Sequence, residues 1–112
     1  MNDKLQQEIS QLHAQICAGL ADPTRIVLLY ELADGPRNVT QLARALQINQ
    51  PAVSRHLKIL RERGMVTATR LGATVEYRLG DMRLIQAMDL LGDVLRDALA
   101  HRARVVTAFA EN

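Results

Sequence analysis

The sequence is poor in the residues that much catalysis and most extracellular folds require. It has one cysteine, Cys17, no tryptophan, and only Tyr30, Tyr77 and Phe109 as aromatics. A single thiol cannot close an intrachain disulfide, which fits a reducing compartment but leaves a bridge between two chains open. The plainest reading of Cys17 is a buried apolar side chain. No apolar run approaches the ~20 residues of a membrane span, and Met1-Asn2-Asp3-Lys4-Leu5 lacks the basic-then-apolar order of a secretory signal. The expected location is therefore the cytoplasm, with no membrane partner. There is no glycine-rich phosphate loop, no Ser-His-Asp set and no framed carboxylate pair, and His13, His56 and His101 are scattered, so no enzyme is expected. With aromatics so scarce, the 48% hydrophobic content is mostly Leu, Val, Ile and Ala, the composition of a helical domain. A chain of 112 residues makes one domain, 1–112, large enough to bury a core.

The formal net charge of +2 conceals an uneven distribution. Arg37, Arg44, Arg55, Lys58, Arg61, Arg63, Arg70 and Arg78 face only Glu62 and Glu76 between positions 36 and 79, while both flanks are net acidic. The middle of the chain is the candidate surface for a polyanion. A solvated basic face without a partner would give the same count, so charge alone does not decide.

Spacing then divides the chain into elements. Leu5, Ile9, Leu12, Ile16 and Leu20 recur every three or four residues and predict a first helix over 3–20. Asp22 can cap a second helix with Pro23 in its first turn, running to about Asp34 before Gly35-Pro36 stops it. A short third helix is expected over 39–46, with Thr40 or Asn38 near its start and Val39, Leu42, Ala43 and Leu46 inward. The linker Gln47-Ile48-Asn49 is brief and polar around one buried isoleucine. A fourth helix follows, capped by Asn49, with Pro51 in its first turn, and runs to Arg63 before Gly64. Two short helices joined this tightly, over 39–63, constitute a helix-turn-helix. Met65–Arg70 and Val75–Leu79 read as two strands around Leu71-Gly72-Ala73-Thr74, a hairpin over 65–79 that forms a wing. A long helix from Asp81 to about Phe109 closes the chain. No internal repeat or low-complexity stretch interrupts this order.

The fourth helix turns Val53, Leu57 and Leu60 inward and collects Gln50, Ser54, Arg55, Lys58 and Arg61 on its other side. Such a face suits the DNA major groove, where Arg pairs with guanine through two donors, Gln pairs with adenine, and Lys58 meets phosphate as a point charge. Thr40 and Gln41 on the third helix are further DNA-binding candidates, and Arg70, Thr74 and Arg78 on the wing lie where a hairpin could reach the neighbouring groove or backbone. Pro51 lies at the helix start and joins the candidate set. His56 does too, read as either a DNA or an interhelix contact.

Three segments in register, Ala21-Asp22-Pro23-Thr24-Arg25, Gln50-Pro51-Ala52-Val53-Ser54-Arg55-His56-Leu57-Lys58-Ile59-Leu60-Arg61 and Tyr77-Arg78-Leu79, resemble the ArsR/SmtB family of winged-helix repressors. The resemblance runs from about Ile16 to Leu79. It implies a mainly α fold with a small β-hairpin, a winged helix-turn-helix in the order α1-α2-α3-α4-β-β-α5. It also implies a homodimer joined through segments 1–20 and 81–109 that binds a double-stranded DNA operator with half-sites ~34 Å apart. The alternative is a winged helix used as a protein-protein assembly module. Operator binding should weaken steeply with salt, and protein docking should not.

The resemblance implies, further, release from DNA by an effector such as a divalent metal ion. The family's helix-three site is a Cys-Val-Cys run, where this chain has Asn38-Val39-Thr40 and no thiolate. Its helix-five site needs paired histidines, and here Arg104 stands three residues beyond His101. Neither usual site is present. Two smaller candidates remain: His13 with Cys17, four apart on the first helix, and the row Asp89, Asp93, Asp97 and His101, for which a solvated ridge with an Asp97–His101 ion pair is an equal account. A third option is thiol chemistry at Cys17, either oxidation or a bridge to the partner chain, the intersubunit link being the one disulfide open to a single thiol.

Overall fold

The computed structural model describes residues 2–111, so positions 1 and 112 of the expected domain lie outside the described residues. The elements are α1 (Asp3–Leu12), α2 (Pro23–Ala33), β1 (Arg37–Asn38), α3 (Val39–Leu46), α4 (Gln50–Glu62), β2 (Val66–Leu71), β3 (Thr74–Leu79) and α5 (Arg83–Glu111). The expected mainly helical winged helix-turn-helix is what forms. Among the described residues no helix is long and apolar enough to cross a membrane.

Local chemistry accounts for most of the boundaries. Asp22 accepts the Thr24 N–H at 2.8 Å and Pro23 occupies the first turn of α2, where a missing N–H costs nothing. At α3 the cap is Asn38, whose side chain accepts the Gln41 N–H at 2.8 Å while the Gln41 side chain accepts the Asn38 N–H at 2.9 Å, a reciprocal capping box. Gln47 ends α3 in the left-handed conformation at φ 55°, and the chain turns at once into α4, capped by Asn49 through the Ala52 N–H at 2.9 Å. In the hairpin Leu71 pairs with Thr74 across Gly72-Ala73, and Gly72 supplies the positive φ of 63° that this two-residue turn needs.

The core of the first 82 residues is assembled from three helices and the start of β2. Leu28, Leu29 and Leu32 of α2 meet Leu42 and Ala43 of α3, Val53, Leu57 and Leu60 of α4, and Met65 and Val66 at the start of β2, all buried. Each fully buried leucine contributes about 1.5–3 kcal/mol of apolar transfer. No described polar side chain is buried. The inner arc of α4 is thereby fixed, which leaves its opposite arc outside.

Three expectations are corrected. The first helix does not continue to Leu20: it ends at Leu12, passes through a π-helical turn over His13–Cys17 and a 3-10 turn over Gly19–Ala21. The Ala18 N–H bonds the His13 carbonyl at 2.9 Å, and the Arg63 guanidinium donates to the Ala14 carbonyl, an insertion of the kind that opens a helical ladder. The wing is more than a two-stranded hairpin. β1 adds to it in the order β1-β3-β2, all antiparallel, with Arg37 opposite Tyr77 and Asn38 opposite Glu76. Cys17 lies at the end of the π-helical turn and is exposed rather than a buried apolar side chain.

The last 30 residues form a second unit, a single helix from Arg83. Leu90, Leu91, Val94, Leu95, Leu99, Val106 and Phe109 are all at least half exposed on it. α1 likewise buries none of its residues, with Leu5, Ile9 and Leu12 exposed.

Candidate nucleic-acid interface

α4 is held from within by Val53, Leu57 and Leu60, spaced four and three, so the opposite arc turns outward. Ser54, Arg55, Lys58 and Arg61 are all exposed there, and among the described residues none of their side chains has a hydrogen-bond or ion-pair partner in the chain. Three uncompensated cations and a hydroxyl on one exposed helical face form a surface that a phosphate-rich groove would neutralise. Gln50 and Pro51 are exposed at the start of the helix.

Several of the expected residues converge on this face. Gln50 Nε2 lies 3.4 Å from Thr40 Oγ1, linking the outer sides of α3 and α4. Thr40 also lines an open groove of about 270 Å³ with Asn38, Val39, Thr74, Val75 and Tyr77, so the wing's Thr74 and the start of α3 share one surface. Arg70 is exposed on β2, with its Nε 3.4 Å from the Gly72 carbonyl, which curls it along the hairpin tip. Gln41 is exposed, but its side-chain oxygen is committed to the capping box, leaving only its amide N–H groups free for an outside partner.

Other expected or candidate residues do not share the face. His56 is half-buried and turned toward α2, its Nδ1 3.4 Å from Arg25 Nη1, an interhelix contact. Asp22 belongs to the same junction. Burial raises its pKa, but the Thr24 N–H, His56, and the N–H and guanidinium of Arg25 together outweigh that and hold it below the ordinary carboxylate value. Arg78 is neutralised by Glu76 at 2.9 Å. Arg63, counted in the basic segment, is spent on the Ala14 carbonyl. The roles of Arg25 and Arg63 have no signature in residue spacing.

The residues at the start of α3 do not fit the metal that the family resemblance implies. The Asn38 oxygen is engaged as a cap and the Thr40 hydroxyl lies against Gln50, leaving neutral oxygens where a soft metal needs thiolates. Among the described residues no three His, Cys, Asp or Glu side chains gather into a group able to hold a metal ion. His13 and Cys17 are exposed on the π-helical turn. On α5, Asp97 and His101 are exposed, and Asp93 of the acidic row pairs with Arg96.

Residues 22–68 match the family described as bacterial regulatory protein, arsR family. That span runs from the Asp22 cap through α4 into β2. The chain is 39% identical over 95 residues to the HTH-type transcriptional repressor SmtB of Mycobacterium tuberculosis, covering 85% of this chain and 65% of that protein. It thus spans just under two thirds of that repressor's length. It is 40% identical over 83 residues to the HTH-type transcriptional regulator NmtR of the same species, covering 71% of this chain and 69% of that one. Its fold matches, with a TM-score of 0.75 and 29% identity, the solution structure of a homodimeric winged helix-turn-helix DNA-binding domain from Mycobacterium bovis, a possible ArsR-family transcriptional regulator, over 90% of this chain and 93% of that one.

Proposed function

The chain belongs to the arsR family of bacterial regulatory proteins, and on that premise we propose that it is a sequence-specific DNA-binding transcriptional repressor acting as a homodimer on a two-fold operator. The observation that carries the proposal is the unpartnered, exposed Ser54-Arg55-Lys58-Arg61 face of α4. In this reading α4 enters the major groove. Arg55 donates two hydrogen bonds to guanine, Gln50 pairs with adenine, Ser54 contacts either, and Lys58 and Arg61 neutralise phosphates. Thr40, Gln41, Pro51, Arg70 and Thr74 border the same groove and its flanking backbone.

A second copy of the chain completes the reader. The exposed branched side chains of α1 and of α5 are more apolar surface than a lone small domain ordinarily leaves in water, and the homodimeric state of the M. bovis relative supports covering them with a partner chain. Segments 1–20 and 81–109 then carry the dimer contacts, with 39–63 as the helix-turn-helix and 65–79 as the wing. The protein works in the cytoplasm, where its DNA lies, and is a regulator rather than an enzyme, as the named relatives are. Release by an effector belongs to the repressor reading, and the donor set at α3 directs that search away from soft metals at that position.

Footprinting on DNA upstream of the chain's own gene, repeated over a salt series, tests the proposal. The expected result is two protected half-sites about one helical turn apart, with affinity falling steeply as salt rises. Binding that is indifferent to salt, with no protected sequence, would identify a protein-docking module instead.

A further inference from the structure

Three carbonyls near the end of the first helical segment, those of Ala14, Ala18 and Gly19, accept from guanidinium groups, and that of Ala18 also takes the Ala21 N–H of the 3-10 turn. Arg25 donates from Nε to the Gly19 carbonyl at 2.6 Å and from Nη2 to the Ala18 carbonyl at 3.3 Å. Arg63, the C-terminal cap of α4, donates to the Ala14 carbonyl. Cations suit this end of a helix, where the unsatisfied carbonyls concentrate negative charge. The same Arg25 reaches α4 through His56, its Nη1 3.4 Å from His56 Nδ1. Contact is also close at the backbone: a Cβ on the buried Gly19 would lie 2.8 Å from Met65 Sδ and 3.0 Å from Arg63 Cδ.

α4 therefore reaches the end of the first helical segment at two points along its own axis, directly through Arg63 and by way of Arg25 of α2 at His56, roughly 10 Å apart at the helical rise. The core seats α4 through Val53, Leu57 and Leu60, so with a single tie it is the first helical segment that could pivot against it. Held at two, it keeps one angle. We infer that Arg25 and Arg63 are positioning residues that fix the angle of α4 against the first helix and so set the half-site spacing that a pair of chains accepts. The inference rests on the two-fold operator reading, in which the first helix joins the chains and α4 enters the groove. Neither arginine contributes a phosphate contact, since both are engaged within the chain.

The test uses a duplex that the wild-type chain selects from random-sequence DNA, the same duplex with one base pair inserted at its centre, and a duplex with one half-site. The insertion moves one half-site by about 3.4 Å and turns it by roughly 35°. Wild type should lose roughly tenfold or more in affinity on insertion, as for a misplaced base contact. Arg63→Met keeps the stem and removes the donors. Arg25→Lys keeps the charge without the fork that spans three acceptors. Each variant should lose less than about threefold on insertion, with single half-site affinity within about twofold of wild type. A merely structural role would lower thermal stability and leave the spacing ratio at the wild-type value. Should Arg25→Lys fail to fold, the half-exposed Arg63 decides alone. Wild-type sensitivity retained in the variants overturns this inference and leaves the operator reading standing. A wild-type chain indifferent to the insertion overturns both.

Discussion

Replacing Lys58 with alanine gives the most quantitative test of the α4 face. Lys58 is exposed, has no partner among the described residues, and stands one turn beyond Ser54 on the outer arc. If its ammonium neutralises one phosphate, each chain releases one counterion, and each neutralised phosphate adds about 0.9 to the slope of log affinity against log salt. Two chains on one operator would make the change about 1.8. With nothing else altered, that slope corresponds to roughly 1.8 decades of affinity at 0.1 M salt, shrinking toward nothing near 1 M. Fluorescence anisotropy of a labelled operator and of a scrambled duplex, titrated at several salt concentrations, measures it. Both duplexes should weaken alike, because phosphate carries no sequence information. Arg78→Ala is the control: its guanidinium is already paired with Glu76 at 2.9 Å, so its slope should stay near wild type. An unchanged slope in Lys58→Ala, or an equal fall in Arg78→Ala, would refute the assignment of contacts.

Other outcomes follow from the same geometry. Gly80→Ala would place a Cβ 2.8 Å from the Gly64 carbonyl oxygen and 3.0 Å from that of Met65, backbone atoms that cannot swing aside; a loss of about 1–3 kcal/mol is expected in urea denaturation. Leu57→Ala empties a fully buried position and should cost about 2–5 kcal/mol in the same assay. Leu91→Asp on α5, at a side chain 65% exposed in the single chain, should leave the fold intact, separate the two copies in sedimentation and weaken operator binding. Asp22 has a lowered folded pKa, so its contribution is complete above the ordinary carboxylate range of about 3.9 and is lost as pH falls through the folded value. Asn also caps helices. The stability difference between wild type and Asp22→Asn should therefore be constant near neutrality and shrink only in acid.

Much of this arrangement is legible before any coordinate is known, and the reasons are local. α3 falls on 39–46 as expected because its cap, its apolar spacing and its stop are all encoded within a dozen residues. The outer face of α4 follows from Val53, Leu57 and Leu60 alone. The break in the first helix was not legible, since Leu5, Ile9, Leu12, Ile16 and Leu20 keep helical spacing throughout. What interrupts it comes from far along the chain, Arg63 at the Ala14 carbonyl. β1 is two residues long, too short for any alternation to register, and exists because β3 offers it an edge. His56 was legible in principle: three residues past Val53 and four before Leu60, it borders the buried arc, and that position argues for an inward contact. Arg25 and Arg63 look like two more cations of a basic chain until their acceptors are seen.

The central claim is that the outer face of α4 reads bases, and Arg55 is its sharpest point. Base preference of wild type and Arg55→Ala, measured by selection from random-sequence DNA under identical salt, tests it directly. The expected outcome is a loss of about 1–3 kcal/mol on the preferred site, with preference relaxed at one position in each half-site and retained elsewhere. An Arg55→Ala protein that selects the same sequence with the same discrimination would contradict the account.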